Sequence, residues 1–83
     1  NRESGDGRYD IQLKPTKKGL PGILIELKAE KNCSDEQLKK LSETALQQIN
    51  DKKYETELTT AGVRTIYKYG VAFSGKKVEV AVG

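Results

Sequence analysis

Asp10 and the run Glu26-Leu27-Lys28 hold the residues of this sequence best suited to chemistry: two carboxylates and an ammonium. A hard divalent cation such as Mg2+ takes oxygen ligands and needs only one or two protein carboxylates plus waters, so Asp10 and Glu26 are candidate ligands for Mg2+ or Mn2+. A metal held by that pair lowers the pKa of a bound water and polarises a phosphoryl oxygen. Lys28 then either stabilises charge developing on a phosphate or helps deprotonate or orient the attacking water. The sequence contains no His. That removes Ser-His-Asp triads, Cys-His nucleophiles and His-containing zinc sites as self-contained options.

This chemistry requires the three residues to meet, and the surrounding pattern predicts that they do. Residues 8–14 alternate polar and apolar as a half-buried strand does. Residues 15–22 hold both prolines and two glycines, a connection that turns the chain back. Ile23-Leu24-Ile25-Glu26-Leu27-Lys28 is short and rich in branched apolar residues, which favours a second strand. In an antiparallel pair with Asp10 opposite Glu26, Tyr9 meets Leu27, Ile11 meets Ile25 and Leu13 meets Ile23, all on the face away from the charges. Slipping the register by two residues preserves that separation, whereas slipping it by one mixes charge into the apolar face. Parity alone therefore predicts that Asp10, Glu26 and Lys28 share a face.

Ser34 begins a helix signature, with Gln37 completing a capping box and Asp35 and Glu36 in the first turn. Leu38, Leu41, Ala45 and Ile49 recur at helical spacing, which predicts a helix to about residue 50 lying on a sheet. In that phase Gln48 falls beside the apolar stripe and Gln47 points away from it. Residues 52–60 predict a short helical piece, with Tyr54 and Leu58 spaced i, i+4 and Gly62 as its stop. Residues 63–73 read as a strand, Ser74-Gly75 as a two-residue hairpin turn, and residues 77–82 as its partner strand, in which Val78, Val80 and Val82 share a face. Tyr67, Tyr69 and Phe73 have the spacing of an aromatic stripe, expected in the core rather than stacked on bases. The expected fold class is α/β: a small mixed sheet in β-β-α-β-β order, covered by one main helix.

Composition sets the limits around this site. Eighty-three residues make one small domain with a thin core. Hydrophobic residues at 35% and charged ones at 33% indicate a globular, highly solvated chain. The net charge of +3 favours approach of a phosphate-rich partner without identifying one. The lysine pairs at 17–18, 39–40, 52–53 and 76–77 read as solvated surface, useful to nucleic acid where they lie near the site. Cys33 is the single cysteine, so no internal disulfide forms; a reducing, cytoplasmic setting and an inert thiol before the helix are expected. No apolar run approaches membrane-spanning length. The first residues have neither an initiator Met nor a signal-peptide core, and the expectation is a C-terminal fragment of a longer protein.

At Asp10 and Glu26-Leu27-Lys28 the chain resembles the PD-(D/E)XK nuclease superfamily, whose signature is an Asp on one strand and Glu-x-Lys on the next. The resemblance extends to Glu3-Ser4-Gly5-x-Gly7-Arg8-x-Asp10, to Ala45-Leu46-x-Gln48-Ile49 and to Tyr69-Gly70-Val71-Ala72-Phe73-x-Gly75-Lys76, in a bacterial branch commonly found C-terminal to an AAA-type ATPase-like domain. It implies a restriction-endonuclease-like core, here without the helix and first strand that precede these motifs in the family. It implies metal-dependent hydrolysis of phosphodiester bonds in nucleic acid, DNA before RNA, with Asp10 and Glu26 as metal ligands, Lys28 as catalytic lysine and Gln48 as the helical glutamine that supports the site. Arg8 either reaches a phosphate or closes the turn before its strand. Superfamilies of this kind contain inactive descendants, so the alternative is a nuclease-fold module that binds nucleic acid or a protein partner, including an attached ATPase-like domain.

Overall fold

A computed structural model describes residues 8–51 and 54–83 of the chain. The polar stretch 1–7, with the Glu3-Ser4-Gly5-x-Gly7 part of the motif, and the Lys52-Lys53 pair lie outside the described residues. The elements run β1 (Arg8–Leu13), β2 (Gly22–Ala29), α1 (Asp35–Asp51), α2 (Tyr54–Thr60), β3 (Ile66–Ser74) and β4 (Lys77–Val82). They build one four-stranded sheet in the order β1-β2-β3-β4. β1 and β4 pair antiparallel with their neighbours, while β2 and β3 run parallel. The sheet is therefore mixed, as expected. The parallel pair needs a crossover, and α1 with α2 supplies it.

Local chemistry sets the helix boundaries. Ser34 caps α1 through the predicted box: its Oγ accepts from the Gln37 N–H at 3.1 Å, and Gln37 Oε1 accepts from the Ser34 N–H at 2.8 Å. The end of α2 is a Schellman motif. Val63 N–H bonds the Leu58 carbonyl at 3.0 Å and Gly62 N–H bonds the Thr59 carbonyl at 3.0 Å. Gly62 takes the left-handed φ of +95° that this motif requires.

The sidedness of the sheet departs from the sequence reading. The helices cover the face of Leu24, Glu26, Gly70 and Ala72, all buried. Leu24, Ile49 and Leu58 form one core cluster, with Leu46, Tyr54, Val63 and Ile66 packed on it. Cys33, Leu38 and Ala72 form a second, flanked by Leu41. Cys33 is thus a small core residue, its N–H fixed by Ser74 Oγ at 2.9 Å. The aromatic stripe expected in the core lies on the opposite face: Tyr67 is 46% exposed and Phe73 41%. Val78, Val80 and Val82 share a face as predicted, but it is this open one. The physical reason is at Gly70, where an added Cβ would collide with the backbone of Ser42 and Leu46. Small residues let α1 lie directly on β3, and a strand that puts Gly and Ala under the helix must put its large residues on the other side.

Two smaller corrections follow. β3 starts at Ile66, so residues 63–65 are connection rather than strand. The hairpin turn is Gly75-Lys76, since Ser74 pairs with Lys77. Gly75 has φ +60° at the first loop position, as a type II′ turn demands.

Candidate active site

Of the registers that parity allowed, the observed one pairs Asp10 with Glu26, Tyr9 with Leu27, Ile11 with Ile25 and Leu13 with Ile23. Directly opposed residues of an antiparallel pair carry their Cβ atoms about 5 Å apart on the same face, within reach of a shared cation. Lys28 follows Glu26 by two residues and so lies on that face, about 7 Å further along the strand. Arg8 is its backbone partner across the pair.

The face itself is the unexpected part. The carboxylates project toward the helix layer, not toward open solvent. Glu26 is 0% exposed, between Leu24 at 0% and half-buried Lys28 on its own strand face, with Gly70 as its β3 partner. Asp10 is half-buried and its Oδ1 is fully withdrawn from solvent. Carboxylates removed from water are ordinarily paired with cations or ligated to metals, because transfer of an isolated charge is costly. Gln48 is half-buried on α1 beside fully buried Ile49, while Gln47 is exposed, so the helical phase read from the sequence holds.

Two residues at this site escaped the sequence reading. The Tyr54 hydroxyl at the start of α2 donates to Asp10 Oδ2 at 3.1 Å. Lys68 of β3 lies on the helix-covered face, pairs in register with Leu24, and holds Glu55 at 2.6 Å with only 19% of its side chain exposed. Adjacent residues of α2 are thereby tied to β1 and β3. The only available signal for Tyr54 was its i, i+4 spacing with Leu58 on a weak helical pattern; a half-buried phenol needs a partner, and that requirement does not name Asp10.

Among the described residues, no group of three or more His, Cys, Asp or Glu side chains is placed to hold a metal ion. The two carboxylates that the register sets opposite each other are Asp10 and Glu26. Two carboxylates with waters completing the shell match what Mg2+ accepts, and the all-oxygen donors suit a hard cation.

The sequence model of the PD-(D/E)XK nuclease superfamily matches residues 1–82. No curated relative and no solved structure matched the chain. The four-stranded mixed sheet with two helices fits a restriction-endonuclease-like fold. Among the described residues, no helix is long and apolar enough to cross a membrane.

Proposed function

Because the chain belongs to the PD-(D/E)XK nuclease superfamily, we propose that it is a divalent-metal-dependent nuclease domain hydrolysing phosphodiester bonds, with DNA as substrate. The observation that carries this reading is the Asp10–Glu26 pairing, with Lys28 two residues on and Glu26 wholly buried. Asp10 and Glu26 would hold Mg2+ or Mn2+ from adjacent strands. Bound there, the ion supplies a water of lowered pKa and an electrophile for the phosphoryl oxygen. Lys28 meets the negative charge that develops on the phosphate, and Arg8, its register partner, takes a neighbouring phosphate oxygen. Gln48 supports the carboxylates from α1. Tyr54 fixes the orientation of Asp10 by donating to its Oδ2. An ATPase-like domain as partner belongs to the same proposal and rests on the family resemblance, and a cytoplasmic setting rests on the single Cys33.

Titration with Mg2+ or Mn2+ followed by residue-resolved NMR tests the site. Saturable shifts centred on Asp10, Glu26 and Lys28, lost in Glu26→Ala, are the expected result. No localised response up to roughly ten millimolar metal, far above the affinity of useful protein sites, rules out the intact metal site. The second reading is a non-catalytic nuclease-fold module that binds nucleic acid or a protein partner. Salt-dependent DNA binding without metal-dependent cleavage distinguishes it.

A further inference from the structure

A groove of about 710 Å³ opens at the other end of the same strands, where β1 ends and β2 and β3 begin. One wall is the connection after β1, with Lys14, Lys17 and Lys18. The other is the end of α2 and the segment leading into β3, with Leu58, Val63 and Arg64. The four cations are exposed, and among the described residues that line the groove none is Asp or Glu. Four positive charges in one concavity, on a chain whose net charge is +3, form a local field far more positive than the molecule's average. Such a surface raises the local concentration of a polyanion and releases counterions when one binds.

The lysines sit on a bounded loop. Pro15 and Pro21 fix φ at either side, and Gly19 turns the chain with φ +88°. Glu57, next to the lining residue Leu58 and hydrogen-bonded by Gln12 at 3.2 Å, opposes anion binding with one charge against four, and so does the carbonyl end of α2 beside the groove. The contribution of the helix end is small: the helix has seven residues, the Leu58 and Thr59 carbonyls are already taken by Val63 and Gly62, and a helix end amounts to at most about half a charge against four.

The groove's position relates it to the carboxylates. Leu58 and Val63 belong to the core cluster on the helix-covered face, the face that carries Glu26. From Glu26 to Gly22, where β2 begins, is four residues, or about 13 Å at about 3.3 Å each.

We infer that this groove binds the phosphate backbone of the nucleic-acid strand at a distance from the scissile bond, beyond the core cluster around Leu24 and Leu58. The inference rests on the nuclease reading above. Lys14, Lys17, Lys18 and Arg64 contact phosphates and read no base, so they position the substrate without specifying sequence.

The experiment is fluorescence anisotropy of labelled DNA, as single strand and as duplex of about twelve nucleotides, across a salt series in EDTA so that nothing is cleaved. The variant Lys14→Gln/Lys17→Gln/Lys18→Gln/Arg64→Gln is compared with Lys31→Gln/Lys39→Gln/Lys40→Gln/Lys76→Gln, which removes the same charge from exposed positions outside the groove. Each lost phosphate contact lowers the slope of log K against log salt by about 0.9 on duplex or about 0.7 on single strand. The groove variant is expected to lose about 2 to 3 from the slope and more than tenfold in affinity at about 0.1 M salt, and the control less than 1 from the slope. The arm with the larger loss identifies single strand or duplex as the bound form. Equal losses in the two variants overturn the groove inference and leave the nuclease reading standing if metal still titrates Glu26. Absence of DNA binding by the wild type in both arms, with no metal response, overturns both. Should the fourfold variant fail to fold by circular dichroism, Lys17→Gln/Lys18→Gln gives the same comparison against Lys39→Gln/Lys40→Gln at half the amplitude.

Discussion

The Tyr54 hydroxyl donates to Asp10 Oδ2 across 3.1 Å, joining the first turn of α2 to the β1 residue that faces Glu26. The bond spans 44 positions of sequence and makes the short helix part of the site. Tyr54→Phe removes the hydroxyl that makes it. Its expected cost is about 1 kcal/mol in stability, the net value of one such hydrogen bond, with Mg2+ affinity down by a few-fold. A thermal melt and the NMR metal titration check the two effects. Unchanged metal affinity alongside lost stability assigns Tyr54 a purely structural role.

Glu26→Gln keeps the shape of the buried side chain and removes its charge. The fold is expected to persist with a stability loss of about 1–3 kcal/mol, because the groups that hold the buried carboxylate lose its charge. The metal response and any cleavage are expected to disappear. Urea denaturation beside the metal titration separates these outcomes, and a variant that still binds Mg2+ like wild type removes Glu26 from the ligand set.

Gly70→Ala tests the close approach of α1 to β3. The new methyl meets the backbone of Ser42 and Leu46, which unlike a side chain cannot rotate away. Overpacking of this kind costs about 1–3 kcal/mol. Gly70 is also the register partner of Glu26, so lifting α1 is expected to weaken metal binding as well. The urea midpoint reads the first effect. A midpoint equal to wild type excludes direct backbone packing at this position.

The two faces of the sheet predict opposite sensitivities. Leu24→Ala, in the core beneath the helices, is expected to cost about 2–5 kcal/mol. Phe73→Ser, 41% exposed on the open face, is expected to cost less than about 1 kcal/mol and to raise solubility. Denaturant midpoints of the two variants decide. A Phe73→Ser loss as large as that of Leu24→Ala means the open face is covered in solution.

Much of the site was legible in the sequence because a strand has period two. Asp10, Glu26 and Lys28 had to share a face in any register that kept Ile11, Leu13, Ile23, Ile25 and Leu27 together, and they do. The same parity is silent on which face the helices choose. That choice is made by Gly70 and Ala72, whose small size admits α1, and the Tyr67-Tyr69-Val71-Phe73 stripe drew attention to the wrong side of β3. The capping box at Ser34 and the stop at Gly62 were legible because each rests on a local bond. The contacts of Tyr54 and Lys68 were not, because each depends on how separate elements pack.

The sheet's connectivity also orders events in time. Asp10 and Glu26 lie on strands joined by residues 14–21, whereas β2 and β3 are joined through residues 30–65, a loop between four and five times as long. Closing the longer loop costs about 1 kcal/mol more entropy, and the isolated hairpin is only marginally stable. The ligand pair is therefore expected to meet early and transiently, and to be sealed when α1 docks and β3 arrives. Refolding kinetics test this sequence: Ile25→Ala is expected to slow folding, and Leu38→Ala chiefly to speed unfolding. The reverse pattern places the helix layer first. In the expected order, the carboxylates meet while still in contact with water and lose it only as the helices close, so the cost of burying Glu26 falls on the last step of folding.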